Sequence, residues 1–281
     1  VTLKSEDDLR AARIGLGNLG ITYSVTLNCV PLHNLKRTSE LVPEAQALAE
    51  LPATLEHEDH VTLAWFVDQE KIWRVLDERT TEPAETPSKS EPSNPGWLFG
   101  LAARLPFLSG LIPWAMSQYV SWFPEKGVFR ADQVDFQVPH LNTHAVSTFV
   151  PLENLNAALA KIREVFQRHG YTPHLPVAVR FVKGDATSDL SPTGGKPCAV
   201  IEVFAEASFD PKTWEPTFQD VQQELEKLGG RPHWGKGFFG NPRSLYPDAA
   251  WTDYERLRRR MDPDDKFLNA WAKPLVRRSS P

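Results

Sequence analysis

The chain has 281 residues, 24 of them proline, a length that suits one or two domains of ~150 residues. Hydrophobic residues make up 41% and charged residues 24%, the balance of a globular protein rather than a disordered or collagen-like one. A formal charge of −5 argues against nucleic acid as the main partner, since phosphate binding needs a basic face. Cys29 and Cys198 are too few for a disulfide framework; they allow one bridge or two free thiols. No Asn-x-Ser/Thr sequon hints at secretion.

The sequence starts Val1-Thr2-Leu3-Lys4, with no Met and no signal-peptide pattern after it. It reads as the later part of something longer, or as a processed product. Localisation stays open between an intracellular membrane and secretion.

In chain order, Leu9 to Ile14 reads as a short helix and Gly15 to Gly20 as a glycine-punctuated turn. That turn nearly spells a dinucleotide fingerprint, but it precedes a strand instead of following one. Ile21 to Leu27 alternates and is rich in β-branched residues, which predicts a strand. Ser39 to Leu51 suits a helix with Pro43 near its first turn. Val61 to Val67 and Ile72 to Leu76 read as a hairpin. Residues 80–96 hold Pro83, Pro87, Pro92 and Pro95 among Ser, Glu and Thr, the composition of a flexible linker.

Trp97 to Phe123 then turns sharply apolar. Arg104, two prolines and two interior glycines interrupt it, whereas a spanning helix needs about 20 unbroken apolar residues. It reads as helices packed on a core, or as helices lying at a membrane interface with Trp97, Trp114 and Trp122 at the headgroups. Thr143 to Val150, Val177 to Val182 and Cys198 to Ala205 read as strands. Leu155 to His169 reads as a helix with Leu155, Leu159, Ile162 and Phe166 on one face. Thr217 to Leu228 is a helix stopped by Gly229-Gly230, and Trp251 to Met261 an amphipathic basic helix ended by Asp262-Pro263. The order is not a regular βαβ alternation. It predicts an α+β fold, a largely antiparallel sheet with helices on one face.

Two stretches carry chemistry-bearing residues. Arg231-Pro232-His233-Trp234-Gly235-Lys236 gathers an imidazole, an indole and an ammonium after a flexible break; it is a site, or a surface loop around a buried Trp. In Val177 to Phe181, alternation places Ala178 and Arg180 on one strand face. An Arg on a central strand needs an anion, developing charge or a structural ion pair. Glu202, in an otherwise apolar strand, is a partner for Arg180, or faces solvent on an edge strand. The loop of residues 184–196 is long enough to return the second strand antiparallel beside the first. The histidines are scattered, and no metal set is evident; His57 and His60 are close but lack further ligands.

These stretches carry a resemblance. "ARIGLGNLGITYSVTL", "WLFGLAARLPFLSGLIPW", "PVAVRFVKGD…DLSP" and "GGRPHWGK" with "MDPDDKFLNAW" resemble segments of the sugar-1,4-lactone oxidases, the L-gulono- and D-arabinono-1,4-lactone oxidase family of vanillyl-alcohol-oxidase-type flavoenzymes. The resemblance implies that residues 1–35 are the tail of an FAD-binding domain and residues 36–281 a substrate-binding cap. It implies FAD as cofactor, a sugar lactone and O2 as substrates, and an ascorbate-type product with H2O2. An amino-terminal FAD-binding portion, continuous or a separate chain, would complete the site.

By the same resemblance, Arg180 and Lys236 stabilise negative charge, His233 orients its loop or helps proton transfer, and Gly20, Ile21 and Lys236 contact the cofactor. The family's Glu-x-Arg strand reads Ala178-x-Arg180 here. Glu202 becomes the expected substrate-binding carboxylate in place of the missing acid. The competing reading is a non-catalytic regulatory or membrane-docking domain of a flavoprotein.

Overall fold

The structure is a computed structural model that describes residues 1–85, 111–122, 124–133 and 142–276. Strands β1 (Asn34–Pro43), β2 (His60–Phe66), β3 (Lys71–Thr80), β4 (Gly127–Arg130), β5 (Thr143–Pro151), β6 (Val177–Val182), β7 (Cys198–Glu206) and β8 (Arg231–Pro232) form one sheet. Its order is β4-β1-β3-β2-β6-β7-β5-β8, and each neighbouring pair of these strands is antiparallel. The fold is α+β.

Helices α2 (Glu44–His57), α4 (Leu155–His169) and α5 (Glu215–Lys227) cover one face. Leu155, Leu159, Ile162 and Phe166 of α4 meet Val177, Val179, Ile201 and Val203 of the sheet in the main core. Helix α3 (Leu111–Trp122) touches the other face near one end, where Ile112 and Met116 pack with Leu175 and Phe204. A second core joins the two ends of the chain. Ile14, Leu16 and Leu19 pack with Trp251 and Tyr254 of α6 (Asp248–Met261) and with Leu275 of α7 (Lys273–Val276). Asn18, fully buried, donates its amide to Tyr254 Oη at 3.1 Å.

Several expectations change. The helix expected over Ser39 to Leu51 begins only at Glu44; Asn34–Pro43 is strand β1, with Leu35, Arg37 and Ser39 alternately buried. Residues 34–37 are held between β3 and β4, and the pairing with β3 runs on through Ser39 to Pro43 and overrides the helical spacing there. The amino-terminal helix is α1 (Glu6–Ala12), not Leu9 to Ile14. Ser5 caps it by accepting from the Asp8 N–H, and three acids occupy its first turn.

Ile21 to Leu27 forms no strand. Residues 21–33 have no regular structure, and Ile21, Tyr23, Val25 and Leu27 are exposed. A strand is defined by a hydrogen-bonded neighbour, and the described residues offer this stretch none. Strands β4 and β8 had no sequence signal at all. Of the expected linker, residue 80 ends β3, residues 81–85 lie outside helix and strand, and residues 86–96 fall outside the described residues, as do 97–110 of the apolar run. Among the described residues, no helix is long and apolar enough to cross a membrane.

Candidate functional site

The sheet face turned away from the main core carries the residues singled out above. Opposed residues in an antiparallel pair share a face. The register therefore draws a row across five strands: Trp73, Ala64, Ala178, Glu202 and Ser147. Arg180 stands one step along β6 on the same face, between Thr62 and Val200. Strand β7 lies inside the sheet, between β6 and β5. Glu202 is thus not on an edge, and its side chain is only 4% exposed.

Lys236 reaches Glu202 from the other side. Helix α5 ends at Lys227, the chain turns through Gly229 at φ +81, and a Cβ on Gly230 would lie 2.5 Å from the Leu225 carbonyl oxygen. Glycine alone permits that turn. The chain then follows β5: β8 pairs with it, the His233 N–H donates to Ser147 O at 2.8 Å, and the Gly237 N–H donates to Ala145 O at 3.0 Å. Between them the Lys236 N–H closes a turn on His233 O at 3.1 Å. Lys236 Nζ ends 2.9 Å from Glu202 Oε1, and Arg180 Nη1 lies 3.5 Å from Glu202 Oε2.

The electrostatics follow from that count. A buried carboxylate persists only with partners, and here two cations flank one anion. Glu202 is buried while Lys236 and Arg180 are 41% and 40% exposed, so the two cationic groups are the part of the cluster that solvent reaches.

The His233 ring lies against Phe149, with centroids 5.6 Å apart. Its Nδ1 accepts from the Gly235 N–H at 2.9 Å, so the neutral ring carries its proton on Nε2. Burial pushes the imidazole below its ordinary value of 6.5; Lys236 pushes the same way and Glu202 opposes. Trp234 is packing: it stacks on Tyr246 and donates its indole N–H to Leu190 O at 2.9 Å. Arg231 donates to Ser191 O at 3.1 Å and lies over the Tyr246 ring. Both tie the Lys236 loop to the loop between β6 and β7.

The fold therefore gathers Arg180, Glu202, His233 and Lys236. Gly20 has φ +111 and open space around it, Ile21 is 87% exposed, and among the described residues neither is hydrogen-bonded or ion-paired to the cluster. Ser147, Ala64 and Trp73 carried no sequence signal beyond strand alternation, because only the register shows which face they share with Glu202.

A family model described as D-arabinono-1,4-lactone oxidase matches residues 25–275. The chain belongs to the D-arabinono-1,4-lactone oxidase family. It is 28% identical over 287 residues to a Mycobacterium tuberculosis L-gulono-1,4-lactone dehydrogenase, covering 98% of this chain and 65% of that protein. It is 25% identical over 291 residues to the Bos taurus L-gulonolactone oxidase, covering 93% of this chain and 61% of that one. The chain thus spans just under two thirds of these relatives' length. Among solved structures, a cholesterol oxidase from Brevibacterium sterolicum aligns with a TM-score of 0.66 at 16% identity, over 88% of this chain and 60% of that one; that is a likeness of fold. In this member of the lactone oxidase family, β6 reads Ala178-x-Arg180, and the carboxylate paired with Arg180 comes from Glu202 on β7.

Proposed function

We propose that this chain is the substrate-binding part of an FAD-dependent aldonolactone oxidase, which oxidises a sugar 1,4-lactone and passes the electrons to O2 with release of H2O2. The observation that carries the reading is the Arg180–Glu202–Lys236 cluster on an open sheet face of a lactone oxidase family member. An ascorbate-type product follows when the oxidised carbon adjoins the lactone carbonyl. Residues 1–35 are the tail of an FAD-binding domain in this reading. Its remaining portion, continuous or separate, docks where Ile21 to Leu32 stand exposed.

The residues present fit the reacting end of a flavin, because two part-exposed cationic side chains, Lys236 and Arg180, suit a group that becomes anionic on reduction. The flavin, when bound, supplies the hydride acceptor. Lys236 and Arg180 offset negative charge, Lys236 nearest the cofactor. Glu202 accepts hydrogen bonds from the substrate. His233 fixes the loop and offers an Nε2–H donor; with Nδ1 already engaged by Gly235, its part is orientation rather than proton removal.

Residues 97–123 are proposed to rest on a membrane surface. The part that is described supports this: Leu111, Trp114, Tyr119 and Trp122 of α3 are exposed large apolar side chains.

The test is the full-length protein purified with its flavin. Anaerobic addition of L-gulono- or D-arabinono-1,4-lactone should bleach the flavin absorbance, and air should restore it with H2O2. Bleaching without reoxidation by O2 points to another acceptor, as the name of the mycobacterial relative suggests for that protein. A flavin that no lactone bleaches overturns the reading and favours the non-catalytic one.

A further inference from the structure

We infer that Arg10 is a positioning residue: through the loop between β6 and β7 it sets the turn that carries Lys236. The catalytic consequence rests on the lactone oxidase reading above, while the coupling itself rests on contacts within this chain.

The loop of residues 184–196 is a closed body. Its two ends touch, since a Cβ on Gly184 would lie 2.3 Å from the Gly195 carbonyl oxygen. Inside it, Thr193 Oγ1 accepts from the Asp185 N–H at 2.9 Å, and the Asp185 carboxylate accepts from the Thr187 N–H and hydroxyl, both at 2.7 Å. A compact loop closed at its neck and filled by its own side chains passes on a displacement instead of absorbing it.

This body is gripped from two sides. On one, Arg10 of α1 donates to Ala186 O at 2.5 Å and to Asp189 Oδ1 at 3.1 Å, the Asp189 N–H donates back to Arg10 O at 3.2 Å, and Arg13 donates to Thr187 O. On the other, the next two carbonyls, Leu190 O and Ser191 O, accept from Trp234 and Arg231. Gly194, at φ +59, makes room for Arg231: a Cβ there would lie 2.8 Å from its Nη1. Strand β5 fixes the backbone at His233 and Gly237. The tip of the turn between them is held by Trp234, two residues before Lys236. Arg10, Asp189, Leu190, Trp234 and Lys236 thus form one path of hydrogen bonds and short chain steps. The Asp189 side chain is only 12% exposed, which sets its pair with Arg10 apart from a freely solvated one. Arg10 precedes the Gly15 to Gly20 turn, in the part assigned above to the FAD-binding domain. A residue of that part therefore braces a cation of the cap.

The experiment uses the full-length holoenzyme. Exchange of the Trp234 indole N–H with solvent, followed by NMR, reads the coupling without catalysis. The rate of flavin reduction by L-gulono-1,4-lactone reads its consequence. Helix α1 keeps its dock in the variants through buried Ala11 and the Asp8–Arg260 pair at 2.5 Å. Arg10→Met should speed the exchange and slow flavin reduction about tenfold, because a small misplacement of a catalytic group is costly, with a smaller change in KM. Arg10→Lys, which keeps the charge, should recover part of both. In a Lys236→Met background, Arg10→Met should slow reduction no further, since residues that act through one another are not additive.

Trp234 exchange at the wild-type rate in Arg10→Met, or in Asp189→Asn should Arg10→Met not fold, overturns the inference whatever the reaction. Faster exchange with unchanged flavin reduction overturns the positioning role, as does an additive loss in the Lys236→Met background. A wild-type flavin that no lactone reduces removes the lactone reading and the catalytic consequence with it; the exchange rate still decides whether Arg10 holds the Trp234 turn.

Discussion

Arg37 and Asp77 stand opposite each other on β1 and β3 and meet through two parallel hydrogen bonds of 2.8 and 2.9 Å. Both side chains are almost wholly buried, and Glu125 adds a third contact at 3.0 Å. Removing Asp77 takes the bidentate carboxylate away from the buried Arg37 guanidinium. Asp77→Ala should therefore cost about 3–5 kcal/mol of stability, whereas Arg37→Met/Asp77→Leu should cost far less. Urea unfolding of the three proteins checks this, and equal losses in single and double variants would contradict it.

Arg180→Ala and Lys236→Ala should each lower kcat by ~10²–10³, the usual effect of losing one preorganised charge donor. Each single variant leaves Glu202 one cation, so both should fold. The double variant leaves the buried carboxylate without either and should also lose melting temperature. Near-wild-type turnover in both single variants removes these residues from the reaction.

His174 is held below its ordinary value of 6.5 by burial, against an opposing effect of Glu206, and it stacks on Phe209 at 4.2 Å. The folded state thus binds fewer protons there than the unfolded one. Its stability contribution is present above about pH 6.5 and is lost as pH falls through that value toward the folded pKa. Tm measured at pH 7.5 and about 5.5 should drop less in His174→Phe than in wild type. An identical drop would mean that the ring is not protected in the fold.

The Lys236 ammonium also depresses His233. Lys236→Met should raise the His233 pKa and Glu202→Gln should lower it, as followed by NMR of the ring protons. Shifts in the opposite senses would contradict the placement of all three groups.

Trp114 and Trp122 are 57% and 71% exposed on α3. The full-length protein should float with anionic liposomes, and Trp114→Ser/Trp122→Ser should leave more of it in the soluble fraction. Flotation unaffected by the double variant would place any membrane contact elsewhere.

Local pattern settled a good part of this fold. Leu155 to His169 is a helix because its apolar residues recur every turn and Gly170, at φ +58, stops it. Val177 to Val182 is a strand because its apolar residues alternate. The same alternation put Ala178 and Arg180 on one face, and Gly229-Gly230 marked where the chain turns toward Lys236. These features depend on residues within a few positions of one another, so sequence alone contains their cause. Whether Ser39 to Pro43 is helix or strand depended on neighbours 28 or more positions away. The two-residue β8, Ser147 beneath His233, and the meeting of Arg180, Glu202 and Lys236 depended on register between strands. Register is set by how the main core packs against helices α4 and α5, a property of the assembled sheet that no stretch of the chain carries by itself.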